Sequence, residues 1–317
     1  MTDGEDHRPS RRQRRTIALW AIPILLSSAS CATFSDHGQP LVPTRYQIRT
    51  GPFIIFSNLP MTDDPPAVRC LQALERDMNK HLNFRPRLDE DPVEIYVLDD
   101  RNAFAHFLRF YYPELPPRRA FFLAQGSQRV VYTYSSPRLE EDLRHEASHA
   151  LLRGSFGDLP LWLDEGLAEY FETDLAQPGA ERERIDHFAD DLAGGWSPSL
   201  PRLESLSDIR QMTPRDYREA WAWVHLLLNS STDEKTILLT SLSDSNRVPP
   251  GPLRLEQKGA TNERLLAHVK QVQARSIARA AGSIDNGIRL QDKTADVAVN
   301  NPPQRGLWRR LRTWIGF

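Results

Sequence analysis

Cysteine is almost missing from this chain: only Cys31 and Cys70 occur in 317 residues. So small a number excludes a disulfide framework, and no CxxC pair exists from which to build a thiolate zinc site. Any zinc must therefore be held by histidine nitrogens and carboxylate oxygens. Long apolar runs are scarce as well. The run Ile17–Leu26 is about half the length that a membrane-crossing helix needs, roughly 20 residues. An excess of either charge is also lacking: 40 Lys and Arg stand against 42 Asp and Glu, a formal net charge of −2. That balance gives a polyanion no purchase, so nucleic acid is not expected as a partner. Hydrophobic content of 40% and charged content of 26% are ordinary for a globular chain, and the length is enough for a sizeable core.

What is present begins with an N-terminal address. The basic run Arg11-Arg12-Gln13-Arg14-Arg15 precedes Ile17–Leu26, and the small residues Ser27-Ser28-Ala29-Ser30-Cys31 follow. This is the order of a secretory signal, expected over residues 1–30. The small residues ending on Cys31 resemble a bacterial lipobox, in which the cysteine is lipidated. Ser28 stands where a lipobox usually has leucine, and Arg14-Arg15-Thr16-Ile17-Ala18 weakly resembles a twin-arginine export signal. An exported lipoprotein of the periplasm or cell envelope is expected, membrane-anchored through Cys31. Residues 31–45 read as a tether.

The folded part is expected over 46–285, as two lobes of an α+β protein. In the first, 46–134, Tyr46–Arg49 and Phe53–Phe56 read as strands broken by Gly51-Pro52. Ala67–Leu82 carries helical spacing in Val68, Leu71, Leu74, Met78 and Leu82. Val93–Leu98 reads as a strand, Asn102–Phe110 as a short helix, and Ala120–Leu123 with Arg129–Tyr134 as a hairpin. The second lobe, 135–285, is expected to be mainly helical, with pieces over 181–193, 233–243 and 261–280. Residues 286–317 turn polar and lose periodicity, which predicts a disordered tail. Its last residues, Leu307–Phe317, mix arginine with aromatics and could touch an anionic membrane surface.

The chemistry centres on His145-Glu146-Ala147-Ser148-His149. Two histidines four apart on a helix share a face and can hold one metal ion together. Glu146 then sits beside that ion as a candidate general base. Helix signals surround the motif: Ser136 as N-cap, Pro137 in the first turn, Glu140, Glu141 and Asp142 at the positive end, and Gly154 as C-cap. One loop later comes Leu161-Trp162-Leu163-Asp164-Glu165-Gly166-Leu167-Ala168-Glu169-Tyr170-Phe171-Glu172. A catalytic zinc takes three protein ligands and keeps a place for water. The third ligand is therefore expected to be Glu165 on this second helix. Glu169, one turn on, is the expected partner for the far nitrogen of a ligand histidine. Asp164 and Glu172 are expected to point elsewhere. His106 and His225 read as ordinary core or surface histidines.

The paired motif resembles the gluzincin zinc peptidases, most nearly the bacterial peptidase MA-like proteins. The resemblance is strong over 130–230 and loose over the lobe before it. It implies a zincin-like helical lobe with the active site between the lobes, His145, His149 and Glu165 as Zn2+ ligands, and Glu146 as base. It extends to Tyr217, near the start of a helix opened by Thr213-Pro214-Arg215-Asp216, as a hydroxyl that stabilises the oxyanion. No Gly-x-Met-Glu-Asn motif precedes the histidines, which argues against a plain aminopeptidase. The expected function is zinc-dependent hydrolysis of a peptide or protein substrate, aligned by strand addition along 129–134. Two alternatives stand beside it: an envelope binding or scaffold lipoprotein that retains a metal site, and a hydrolase of a non-peptide amide.

Overall fold

The computed structural model describes residues 42–62, 65–83, 91–175, 180–229, 232–244, Leu255 and 259–291. The signal, Cys31, most of the tether and the terminal stretch 292–317 lie outside the described residues.

Five strands form one sheet in the order β1-β2-β3-β5-β4. They are β1 (Tyr46–Thr50), β2 (Phe53–Ser57), β3 (Val93–Leu98), β4 (Phe121–Gln125) and β5 (Gln128–Tyr134). Two hairpins bound the sheet. β1 and β2 turn at Gly51, whose φ of 51° suits a residue without a Cβ. β4 and β5 turn in the same way at Gly126. Between the hairpins β2, β3 and β5 run parallel. Period-2 alternation divides the side chains. Phe53, Ile55, Val93, Ile95, Val97 and Val131 face α1 (Pro66–Leu82) and α3 (Leu139–Phe156). The other face carries a row of stacked rings, Phe56, Tyr96, Tyr132 and Phe121, with centroids 4.9, 5.4 and 5.0 Å apart. α2 (Arg101–Tyr111) packs there through Phe104, Phe107 and Leu108. Its N-cap Asp100 accepts from the N–H groups of Asn102 and Ala103 at 2.7 and 2.9 Å.

Beyond α3 the chain is helical: α4 (Leu161–Phe171), α5 (Ala180–Ala193), α6 (Leu200–Glu204), a short 3-10 turn, α7 (Pro214–Asn229), α8 (Thr232–Asp244) and α9 (Asn262–Gln291). The mixed α/β architecture is therefore the one expected, a sheet lobe followed by a helical one. α3 is the wall between the two layers. It lies against the sheet and α1 on one side and α4 on the other, and one continuous core runs from Phe53 through Leu143, Leu151, Trp162 and Trp223 to Val272. Even charged groups on α3 are enclosed. Arg144 is 3% exposed; its Nη2 donates to Asp77 at 2.7 Å and its Nε to the Phe171 carbonyl at 2.7 Å. α4 and α7 approach each other unusually closely at Gly166. A Cβ built there meets the Ala220 carbonyl oxygen at 2.7 Å.

Four expectations need correction. α3 runs on through Gly154 and stops at Gly157, whose φ of 71° marks the true helix end. A glycine stops a helix only where the backbone turns left-handed, and Phe156 is drawn inward by packing on the core. Ser136 is not the N-cap: α3 begins at Leu139, and the Ser136 hydroxyl accepts from the Arg138 N–H at 3.2 Å in the turn before it. The strand over 129–134 is not an edge, because β5 is paired on both sides; the edge on that side of the sheet is β4. α9 continues to Gln291, into the stretch expected to lack order. No helix among the described residues is long and apolar enough to cross a membrane.

Candidate metal centre

α3 and α4 supply the site. His145 and His149 sit one turn apart on α3, 4% and 8% exposed, with their Nε2 atoms 3.3 Å from each other. Glu165 reaches them from α4. Its Oε2 lies 3.8 Å from His145 Nε2 and 3.9 Å from His149 Nε2. These three buried groups could hold one metal ion. Three nitrogen and oxygen donors bonded to one ion at about 2.0–2.2 Å in a tetrahedral arrangement sit roughly 3.3–3.6 Å apart. The observed separations are close to that range, so the residues fit such an ion with a small inward adjustment.

The reason for the convergence lies on the far side of each ring. His145 Nδ1 is 3.0 Å from Glu172 Oε2, and His149 Nδ1 is 2.9 Å from Asp164 Oδ2. A carboxylate only accepts, so each Nδ1 carries the hydrogen and each Nε2 turns a lone pair inward. Two lone pairs and the Glu165 oxygen then meet in a buried place. Such a cluster needs positive charge between its members. The titration behaviour expresses the same demand. Burial works against a charged His145, yet the hydrogen bond that its Nδ1 donates to Glu172 and the charge of Glu146 hold its pKa up at about 9. Burial likewise opposes His149, while Asp164 and Glu165 raise it to about 10. Burial lifts Glu165 to about 7 despite both histidines. Protons occupy the cluster at neutral pH when no cation does, and a metal takes their place.

The carboxylates beyond the ligands differ from expectation. Glu172, not Glu169, holds His145 Nδ1, and Asp164, expected to point away, holds His149. Geometry along α4 explains the first. Glu172 follows Glu165 by seven residues, two turns, and returns to the same face. Glu169 lies beside the cluster and pairs with a group the sequence reading missed, Arg184 of α5. The Arg184 guanidinium spans both acids, Nη1 on Glu169 and Nη2 on Glu172 Oε1. Burial alone would raise the Glu172 carboxyl, but Arg184 and His145 bring it down to about 2, so it stays ionised behind the ring. No local motif marks Arg184, because it reaches the site from a separate helix; the polar first turns of α5 were the only sign.

Glu146 is half-buried on α3 between the histidines, and its charge acts on His145, His149 and Glu165. Tyr217, on the first turn of α7, feels Glu165, Glu169 and Glu146, and burial followed by those charges raises its hydroxyl pKa above its usual value. Thr213 fixes that turn, its N–H and hydroxyl both donating to Asp216 Oδ2 at 2.7 Å. The structure thus brings His145, Glu146, His149, Glu165, Glu169 and Tyr217 to one place. His225 stands apart, hydrogen-bonded to His268 at 2.8 Å and to Glu181 at 3.1 Å. Among the edge residues, Phe122 of β4 stacks on His149 with centroids 6.4 Å apart.

Replacing Arg184 with methionine leaves Glu169 and Glu172 without their shared cation and loosens His145. The expected loss in metal affinity is about 10- to 100-fold, read by competition against a metal-binding dye. An unchanged affinity would show that Arg184 only packs.

The arrangement is a buried histidine–histidine–carboxylate cluster on α3 and α4 that could hold a metal ion. A family model described as a protein of unknown function (DUF1570) matches residues 141–249, a stretch that holds His145, His149, Glu165, Arg184 and Tyr217. No curated protein matches the chain.

Proposed function

We propose that this protein is a zinc-dependent peptidase of the cell envelope. The observation that carries the reading is the inward convergence of His145 Nε2, His149 Nε2 and Glu165 Oε2 with Glu146 on the same helix. Three protein ligands leave a fourth position for water, the pattern of catalytic rather than structural zinc. Envelope location rests on the residue order of 1–31 alone.

Bound zinc supplies Lewis acidity, acidifying a water and polarising a carbonyl. The chain's own groups do the rest. Glu146 takes a proton from the attacking water as the new C–O bond forms at the peptide carbonyl. It then gives that proton to the amine nitrogen as the C–N bond breaks. The Tyr217 hydroxyl, kept protonated by burial and by the acids around it, donates to the developing oxyanion. Glu172 and Asp164 hold the two rings in the tautomer that leaves each Nε2 unprotonated. An extended substrate would lie along β4, the edge strand beside His149.

The test is metal analysis of the full chain purified with zinc, followed by a peptide-library digest with and without a chelator. About one zinc per chain is expected, with cleavage lost on chelation and regained when zinc returns. Zinc well below one per several chains, or no cleavage of any peptide by the loaded protein, overturns the reading.

A further inference from the structure

We infer that Arg118 is a specificity-determining residue that binds a substrate carboxylate at the mouth of the metal site. The inference rests on the peptidase reading and names a substrate class for it. Its basis is the path of the segment before β4. Arg119 grips Asp142 in the first turn of α3, with Nη2 to Oδ1 at 2.6 Å and Nε to Oδ1 at 2.9 Å. Three residues on, Phe122 stacks on His149. From Asp142 to His149 is seven residues of helix, about 10 Å, and three residues of extended chain cover about the same distance. The segment therefore runs alongside α3 past Glu146 and forms a wall beside the histidine–carboxylate cluster. The Arg119 carbonyl, which accepts from the Thr133 hydroxyl at 3.3 Å, ties that wall to β5.

Arg118 stands at the start of this wall, half-buried, and lies near enough to the Tyr217 hydroxyl of α7 for its charge to act on it. The other cations nearby are engaged. Arg119 is spent on Asp142, Arg138 on Glu141, and Arg184 on Glu169 and Glu172. Arg118 makes one hydrogen bond, from Nε to the Pro116 carbonyl at 3.4 Å, and no ion pair among the described residues. Both Nη groups of its guanidinium remain for a ligand. A planar fork of N–H donors matches a carboxylate bidentately. The acids around the site, Glu146 and Glu169 foremost, favour a single negative charge over a doubly charged phosphate. The carboxylate is either an acidic side chain near the scissile bond or a free C-terminus, and both present the same group to the guanidinium.

Two measurements separate this inference from the peptidase reading. In the first, the zinc-loaded full chain cleaves Ala-rich fluorogenic peptides carrying Glu or Gln at each position in turn, with free or amidated C-termini. The wild type is expected to favour one carboxylate-bearing peptide over its amide counterpart by about 10- to 100-fold in kcat/KM. Arg118→Ala should bring that ratio to near one, Arg118→Lys should restore part of it, and Arg118→Glu should turn the preference toward Lys. In the second, the same peptides bind the zinc-loaded Glu146→Gln protein, measured by fluorescence anisotropy with no cleavage required. If the wild type cuts no peptide, the peptidase reading falls while the binding preference still decides the role of Arg118. An unchanged carboxylate-to-amide ratio in Arg118→Ala, in cleavage or in binding, overturns the inference. Equal losses for both peptides do the same, since they mark a structural role.

Discussion

Replacing Glu146 with glutamine is expected to leave zinc bound and lower peptide hydrolysis by about 100- to 10,000-fold, the usual worth of a positioned general base. The substitution keeps the shape of the side chain and removes only its ability to take a proton. Glu146 is not one of the three convergent donors, so the metal has no reason to leave. The residue is half-buried and lies on a helix whose neighbours Arg144, His145 and Ala147 are almost wholly enclosed, so the amide faces the same cleft with little rearrangement. Metal content, thermal melting and peptide cleavage should be read on the same preparation. Retained zinc with cleavage at the wild-type rate would sink the role of Glu146 and the peptidase reading with it. The Gln variant also differs from loss of a ligand, which removes zinc and activity together.

A second large effect is expected at a residue that touches no metal. Gly166→Ala adds one carbon, which meets the Ala220 carbonyl oxygen at 2.7 Å, its carbon at 2.9 Å and Val224 Cγ2 at 3.0 Å. Two of the three obstacles are backbone of α7, held in a core with Trp162, Trp223 and Leu227, and cannot swing aside. α4 must instead move off α7. Overpacking of this kind costs about 1–3 kcal/mol, equivalent to a melting temperature lower by roughly 2–6 °C in a chain of this size. Glu165 precedes Gly166 and must move with it. Metal affinity is therefore expected to fall in parallel, so that saturating zinc rescues less stability in the variant than in the wild type. Melting curves with and without zinc make the comparison. A variant that melts and binds as the wild type does would show that α4 and α7 pack less tightly than the structure has them.

The difference between what was legible in the sequence and what was not follows the range of the interactions. Val93–Leu98 declares its strand through local composition, and α1 declares its helix through Leu71, Leu74, Met78 and Leu82, because each signal lies within a few residues. His145, Glu146 and His149 share one helix, and Glu165 lies one loop away; their meeting depends on a single packed pair of helices. Strand order is a different matter. That β5 passes between β3 and β4 depends on pairing across more than thirty residues, and nothing in Gln128–Tyr134 distinguishes an inner strand from an edge. The acids of α4 stand between these cases. Asp164 and Glu172 were visible as residues, and the seven-residue step from Glu165 to Glu172 gave a sign of a shared face. Which of three carboxylates would meet an imidazole nitrogen was decided by the rotation of α4 about its axis. That rotation is set by Gly166 against Ala220 and by Arg184 from a helix the motif does not include.

Arg144 carries one consequence beyond the site. Its guanidinium joins Asp77 of α1 to the carbonyls of Phe171 and Thr173 at the end of α4, so the end of α4 is tethered to a helix of the sheet lobe. Sheet layer and helical layer thus share side chains, not merely a boundary. Residues 46–134 and 135–285 read as two lobes along the chain, but they are not interchangeable cassettes. Division at residue 134 would expose the flank of α3 that packs on the sheet and α1 and strip Arg144 of its Asp77 partner. A lineage could therefore inherit or shuffle this centre only as the whole core, with sheet and helices passed on together.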